Sequence, residues 1–370
     1  MLRAVLFRII GVLLGFLVAF AMAEGAVRLF CPQEVGPVRF ACHPQLGEIP
    51  VPGQHGVRRL PGVFTSTYSN NSLGWRGSRE YREAKQTEYR VLFLGDSFTY
   101  GIGVNDDQTF AALVEKFLTS DHLSVEVMNA GDPGKGTDYA LKLYQTVGRK
   151  FYPDLVVYCA FFAMIYRNER GEYYNVGNHG DLQAKAVICR GGLIKTVLAH
   201  LPGYNWLISW SQAANLVKEA GVELLIKWAT RNGSDVTEGL VLAYKKNANG
   251  CSTEANKLTR IYADQLHAAV KNAGGKLVIF YIPNSQEVRE YRQNRTFSAD
   301  EQVFQLIAAD NGMTLWSLTP LLAHSGQPID RLYYKEGHWT AVAHELAAHY
   351  MSGLIESRLL QNPQLKPSDP

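Results

Sequence analysis

Three short segments of the 370-residue chain carry residues whose types and spacing could do chemistry. The first is Gly95-Asp96-Ser97-Phe98-Thr99-Tyr100-Gly101, directly after the apolar run RVLFL at 90–94. A serine at a strand-to-helix turn is held at the top of a sheet with backbone N–H groups pointing past it. That geometry suits a nucleophile whose oxyanion intermediate needs donors nearby. Asp96 would support the turn, and read alone the same turn also fits an N-cap serine. The second is Glu336-Gly337-His338-Trp339-Thr340 near the C-terminus. Here His338 would take the proton from Ser97, and Glu336 would fix the imidazole tautomer and stabilise the imidazolium; by itself it also reads as a capping or surface histidine beside an incidental acid. The third is Asn129-Ala130-Gly131-Asp132-Pro133-Gly134-Lys135-Gly136-Thr137, where glycines let backbone approach a ligand and free an amide to donate, or form an ordinary turn. Asn129 opens it in a supporting position. His344 and His349 follow His338 by six and eleven residues, which leaves no i, i+4 pair to ligate a metal; neither metal nor cofactor is expected.

These segments need a frame that brings three distant turns together. Short apolar runs at 90–94, 125–128, 155–160, 276–282 and 314–316 alternate with helical stretches at 109–118, 138–147, 253–273, 299–310 and 341–359. In the 253–273 stretch Leu258, Ile261, Tyr262, Leu266, Ala269 and Val270 recur at helical spacing. Strands alternating with helices predict an α/β protein, a three-layer parallel sheet flanked by helices, with the site at the carboxyl ends of the strands. Residues 31–88, rich in Pro, Gly and polar residues, read as a surface-hugging connector to a catalytic domain at 89–360. The interval at about 165–250, with Trp206, Trp210 and Trp228 and helical runs at 193–200 and 213–229, reads as a helical insertion, and 361–370 as a flexible tail.

Composition bounds the rest. A hydrophobic fraction of 46% and a charged fraction of 19% describe a chain that buries a real core. A net charge of +3, with no concentrated basic stripe, argues against nucleic acid as a partner. Residues 1–30 form an N-terminal transmembrane anchor or signal segment: the run 9–23 is uncharged, and the whole apolar stretch is about long enough to cross a bilayer at ~1.5 Å per residue. Arg3 and Arg8 on its N-terminal side put the remainder outside the cytoplasm. Ala21-Met22-Ala23 fits signal-peptidase cleavage; the favoured alternative keeps the helix as a single-pass anchor in the cytoplasmic membrane, running on through Glu24, Val27, Arg28 and Leu29. Outside the cytoplasm disulfides are permitted. Cys31 with Cys42 and Cys189 with Cys251 are candidate pairs, and Cys159 reads as a small buried apolar side chain.

In this order, Gly95-Asp96-Ser97, then Asn129-x-Gly131-x-x-Gly134, then the late Glu336–His338 pair, the chain resembles the SGNH/GDSL hydrolase superfamily. Asn70-Asn71-Ser72-Leu73-Gly74-Trp75-Arg76-Gly77, and His338-Trp339 followed by His344 and Ala348, resemble its membrane-anchored bacterial members related to polysaccharide O-acetylation proteins. The resemblance covers roughly residues 68–165 and 274–355. It implies an SGNH, flavodoxin-like fold, with Ser97 as nucleophile, His338 as base, Glu336 as triad acid, and the amides of Ser97 and Gly134 lining the oxyanion hole. Two positions depart from the pattern. Ala163 and Met164 stand where an Asn-Asp would supply a further oxyanion donor, with Asn168 several residues late. Lys335 occupies the usual acid position three before the histidine, leaving Glu336 two before it.

The resemblance implies an extracytoplasmic serine esterase or O-acyltransferase acting through an acyl-serine on acetyl esters of a polysaccharide or cell-wall glycan, facing the periplasmic or extracellular side, with a membrane acyl-donor protein as a further candidate partner. Two alternatives stand beside it: a non-catalytic SGNH-like binding or assembly partner of a membrane acylation or export system, and a lipid-ester hydrolase.

Overall fold

The structure, a computed structural model, describes residues 2–120, 123–177, 180–187, 189, 203–231 and 253–360. An N-terminal helix α1 (Leu2–Phe30) precedes four short strands, β1 (Phe40–His43), β2 (Gly47–Pro50), β3 (His55–Leu60) and β4 (Phe64–Ser69). Alternation then begins with β5 (Tyr89–Gly95), α2 (Ser97–Tyr100), α3 (Phe110–Ser120), β6 (Val125–Gly131), α4 (Thr137–Thr146), β7 (Leu155–Phe161) and α5 (Phe162–Asn168). A small hairpin, β8 (Tyr174–Val176) with β9 (Leu182–Ala184), is followed by α6 (Tyr204–Trp210) and α7 (Gln212–Arg231). The chain closes through α8 (Thr253–Asn272), β10 (Lys276–Ile282), α9 (Ser285–Asn294), α10 (Ala299–Asp310), β11 (Thr314–Ser317) and α11 (Ala341–Leu360). It divides into two compact units, 1–37, 57–65 and 191–246 in one and 38–56, 66–190 and 247–370 in the other.

The larger unit holds a five-stranded parallel sheet in the order β11-β10-β7-β5-β6. Every residue of β5 and β7 is buried, because helices cover both faces and leave no solvent side to require polar alternation. Helices α3 and α11 pack on each other, while α8 packs against α4, α5 and α10. The periodic face of α8 supplies Tyr262, Leu266 and Val270 to the core, as its spacing predicts. Strand order reverses at β5, whose neighbours are β6 on one side and β7 on the other. The carboxyl end of such a reversal leaves a crevice between diverging connections, the usual place for a ligand in an open α/β sheet. Ser97 follows β5 there.

Two expectations are corrected. Much of 31–88 does not merely hug the surface: Leu46, Ile49, Tyr68, Asn70, Asn71, Trp75 and Arg76 are all buried in the larger unit. Its polar residues serve inside, closing turns by side-chain hydrogen bonds instead of being solvated: Asn71 Oδ1 accepts from the amides of Leu73 and Trp75, both at 3.0 Å. The disulfide joins Cys42 to Cys189, tying β1 to the segment beyond β9. Both candidate pairs linked cysteines nearer in sequence, and folding brings together two that are 147 residues apart. Cys31 is free and exposed, Cys159 is free and buried as expected, and Cys251 lies outside the described residues.

In the smaller unit α1 runs on through Glu24 to Phe30, and Arg3–Phe30 is long and apolar enough to cross a membrane. Glu24 caps α7: its carboxylate accepts from the amides of Gln212 (3.0 Å) and Ala213 (2.9 Å) and from the Ser211 hydroxyl (2.8 Å). A carboxylate at a helix N-terminus satisfies otherwise orphaned amides and meets the positive end of the helix dipole. Arg28 pairs with Glu24 at 2.7 Å and donates to the Trp210 carbonyl at 3.0 Å, and the Trp210 ring meets Phe20 edge-on. Of the insertion's expected helices, 213–229 forms within α7, and 193–200 lies outside the described residues, as does the tail 361–370.

Candidate active site

Asp96 and Ser97 sit where β5 turns into α2. The cap of α2 is Asp96, whose Oδ1 accepts from the Phe98 amide at 3.0 Å. Ser97 is therefore the first helical residue, with its hydroxyl free of capping duty. His338 lies on a tight turn before α11: the Gly337 amide donates to the Tyr334 carbonyl at 3.0 Å and the Tyr334 amide to the His338 carbonyl at 2.8 Å. Buried Trp339, packed edge-on against Phe98 and Phe110, fixes that turn to the core. The result brings Ser97 Oγ to 2.9 Å from His338 Nε2, while His338 Nδ1 is 2.6 Å from Glu336 Oε2. The Ser97 hydroxyl can donate to Nε2 only if Nδ1 carries the imidazole proton, and Glu336 selects that tautomer by accepting from Nδ1. The side chains of Glu336 and His338 are each 24% exposed, so the pair opens to solvent.

The third segment arrives from β6. The Asn129 side chain ties β6 to α2, donating from Nδ2 to the Thr99 carbonyl at 2.8 Å and accepting from the Gly131 amide at 3.1 Å. The Asp132 amide then donates to the Gly95 carbonyl at 2.9 Å, which lays the following turn beside the Ser97 turn. Gly134 takes φ 84°, a left-handed conformation that glycine adopts without steric cost, and is exposed. Among the described residues neither the Ser97 nor the Gly134 amide has an acceptor.

The departure after β7 has a structural consequence. Met164 is buried and accepts from the Tyr158 hydroxyl. Asn168 does not reach the site: its Oδ1 accepts from the Thr137 amide at 2.9 Å and its Nδ2 donates to Thr137 and Thr259, which caps α4. Two residues given no role by the sequence reading stand out. Arg167 pairs with Asp96 at 3.0 Å, and Arg76, 4% exposed, is wrapped by backbone carbonyls behind α2. The only signal for either was a lone arginine inside a motif-bearing stretch.

His344 is a core residue. Its Nδ1 accepts from the Phe110 amide at 3.1 Å and its ring stacks on Phe110, while His349 stacks on Phe117. Burial, with the nearby Arg76 and His338 adding to it, holds His344 down at about 3 from an ordinary 6.5. The folded state thus binds one proton fewer than the unfolded state between those values, so His344 erodes stability as pH falls below 6.5. A His344→Gln chain should show denaturant-derived stability whose slope over that window is shallower than wild type by about 1.4 kcal/mol per pH unit; parallel slopes would refute the buried neutral imidazole.

No protein-family model matches the chain, and no curated protein matches it. Among solved structures the chain is similar to a lipase/acylhydrolase from Enterococcus faecalis, at 16% identity and TM-score 0.40, covering 76% of this chain and 100% of that one. It is also similar to the psychrotrophic esterase EstA from a Pseudoalteromonas species, at 12% identity and TM-score 0.39, covering 74% and 99%. A third is a GDSL-like lipase from Bacteroides thetaiotaomicron, at 13% identity and TM-score 0.37, covering 75% and 93%.

Proposed function

We propose that this chain is a serine ester hydrolase or O-acyltransferase that works through an acyl-serine on Ser97. The observation that carries the reading is the continuous hydrogen-bonded line Ser97–His338–Glu336 at the carboxyl end of β5. As the Ser97 oxygen attacks the ester carbonyl, its proton passes to His338 Nε2, and the imidazolium is held by the Glu336 carboxylate. The unoccupied amides of Ser97 and Gly134 would donate to the oxyanion. Collapse expels the alcohol, which takes the proton from Nε2. His338 then removes a proton from water or from an acceptor hydroxyl, and that oxygen releases the acyl group and regenerates Ser97. Esterase and transferase differ only in that second oxygen.

The helix α1, with Arg3 and Arg8 at its start, supports anchoring in the cytoplasmic membrane with the site on the outer side. Acetyl esters of an exported polysaccharide or cell-wall glycan fit that position, with a membrane acyl-donor protein as partner for transfer. Ala163 and Met164, in place of a side-chain oxyanion donor, favour a second reading, a non-catalytic assembly partner with the same fold. The full chain in detergent micelles should release acetate from an O-acetylated polysaccharide, turn over p-nitrophenyl acetate in preference to a long-chain ester, and be labelled on Ser97 by a reactive phosphonate. Long-chain preference would move the substrate to lipid esters. Folded protein with neither label nor turnover would leave the non-catalytic reading.

A further inference from the structure

We propose that Arg167 is a positioning residue that locks the two oxyanion-bearing turns together across the switch point of the sheet, an inference that rests on the acyl-serine reading. One guanidinium nitrogen, Nη1, makes both contacts: 3.0 Å to Asp96 Oδ2 and 2.9 Å to the Lys135 carbonyl. Asp96 immediately precedes the Ser97 amide, and Lys135 immediately follows the Gly134 amide. A single cation therefore bridges the two turns whose donors an oxyanion would meet. It reaches them from α5, the connection after β7, on the far side of β5 from β6. The β5 and β6 turns are already tied at their roots, by the Asp132 amide on the Gly95 carbonyl and by Asn129 on the Thr99 carbonyl, and Arg167 adds a tie further along, at Lys135, from the β7 side of the reversal.

The chemistry of the partners requires a cation. The Asp96 side chain is completely enclosed, with one oxygen spent on capping α2 and the other on Arg167. A buried carboxylate needs a compensating charge, and guanidinium keeps its proton where an amine can lose it. Arg167 itself stays 19% exposed, at the edge of the crevice. The backbone beneath is shaped to admit it: a Cβ on Gly136 would stand 3.2 Å from Arg167 Cβ and 2.8 Å from Asn168 Oδ1. The neighbouring Asn168 pins α4, so residues 167 and 168 hold the β6 connection at two successive points. In this chain an arginine three to four residues later thus orients backbone donors, where an Asn-Asp would add a side-chain donor.

The test compares Arg167→Met and Arg167→Lys with wild type as full chains in micelles, reading ester kinetics, Tm and amide hydrogen exchange. A displacement of about 1 Å in the donors is worth up to ~10²-fold in rate. Arg167→Met should lower kcat on p-nitrophenyl acetate by roughly that factor with KM changed less than about threefold, and Arg167→Lys, keeping the charge, should recover about tenfold of it. Exchange should rise together in peptides covering 95–101 and 131–137. Exchange rising in one peptide or neither, or a loss confined to KM, overturns the proposal. If wild type shows no turnover and no Ser97 label while both peptides loosen in Arg167→Met, the acyl-serine reading fails and the coupling of the two turns stands. Arg167→Lys also guards against misfolding, because it leaves no buried carboxylate unpaired.

Discussion

Ser97→Ala should remove ester turnover by roughly 10⁴–10⁶-fold and leave folding unchanged. The size follows from the line of hydrogen bonds. Without the Ser97 oxygen no acyl-enzyme forms, His338 has no proton to take from position 97, and only the backbone donors remain to assist water. The absence of a folding penalty follows from the local structure. Asp96, not Ser97, caps α2, alanine is a better helix former than serine, and the contact recorded for Ser97 Oγ is with His338. Tm should therefore move by no more than a degree or two, within the scatter expected of a substitution of under about 0.5 kcal/mol. The measurement is initial rate on p-nitrophenyl acetate at matched concentration of folded chain, with phosphonate labelling located by mass spectrometry. A variant that keeps a tenth of wild-type turnover would place the nucleophile elsewhere. One that loses its fold would mean that Ser97 serves the turn and not the chemistry.

How much of this was legible beforehand depends on the kind of interaction. Residues 91–94 of β5, all of β7 and 277–282 of β10 are uninterrupted apolar runs, so burial on both faces announced them, and β10 forms over the residues the sequence predicts. The hydrogen-bonded line Ser97–His338–Glu336 could be anticipated because these are reactive types on turns that follow or precede such elements. The fate of Asn168 was not, because an amide that caps a helix 31 residues away has the same composition as one that lines a site. Connector residues misled for a related reason. Asn, Gly and Pro mark turns, and sequence alone does not say whether a turn is solvated or packed. Asn70 accepts from the Tyr100 hydroxyl at 2.7 Å behind α2, and Gly74 lets the Pro50 carbonyl approach where a Cβ would stand 2.5 Å from it. Cys42 and Cys189 could not be paired from spacing, since loop length says nothing about which ends the fold brings together.

Arg76 carries a large expected stability effect, and the reason again lies in that packed turn. Its guanidinium donates from Nη1 to the carbonyls of Tyr100 (3.1 Å) and Gly101 (3.0 Å), and from Nη2 to those of Thr67 (3.2 Å) and Val104 (2.8 Å). Nε pairs with Asp106, and the plane lies over the Tyr100 ring at 4.8 Å. All of its donors are used, and its own backbone amide donates to the Asn129 carbonyl. Arg76→Met keeps much of the volume and strips the donors, leaving four carbonyls without the guanidinium, while Asp106 keeps its bonds from Ser69. Stripping donors from buried carbonyls costs about 1–3 kcal/mol for each acceptor left unsatisfied, which puts the total at about 3–5 kcal/mol and roughly 10 °C in Tm for a unit of this size. Arg79, three residues on, is the control. It pairs with Glu115 but is 54% exposed, so Arg79→Met should cost under about 1 kcal/mol. Arg76→Lys should fall between, because one ammonium satisfies some of the carbonyls but not a fork of four. The carbonyls of Tyr100 and Gly101 end the helix that Ser97 begins, so a loosened Arg76 site should also slow Ser97 labelling at temperatures below the melt. Equal effects of Arg76→Met and Arg79→Met in denaturant titrations would show that the buried network contributes nothing beyond an ordinary surface pair.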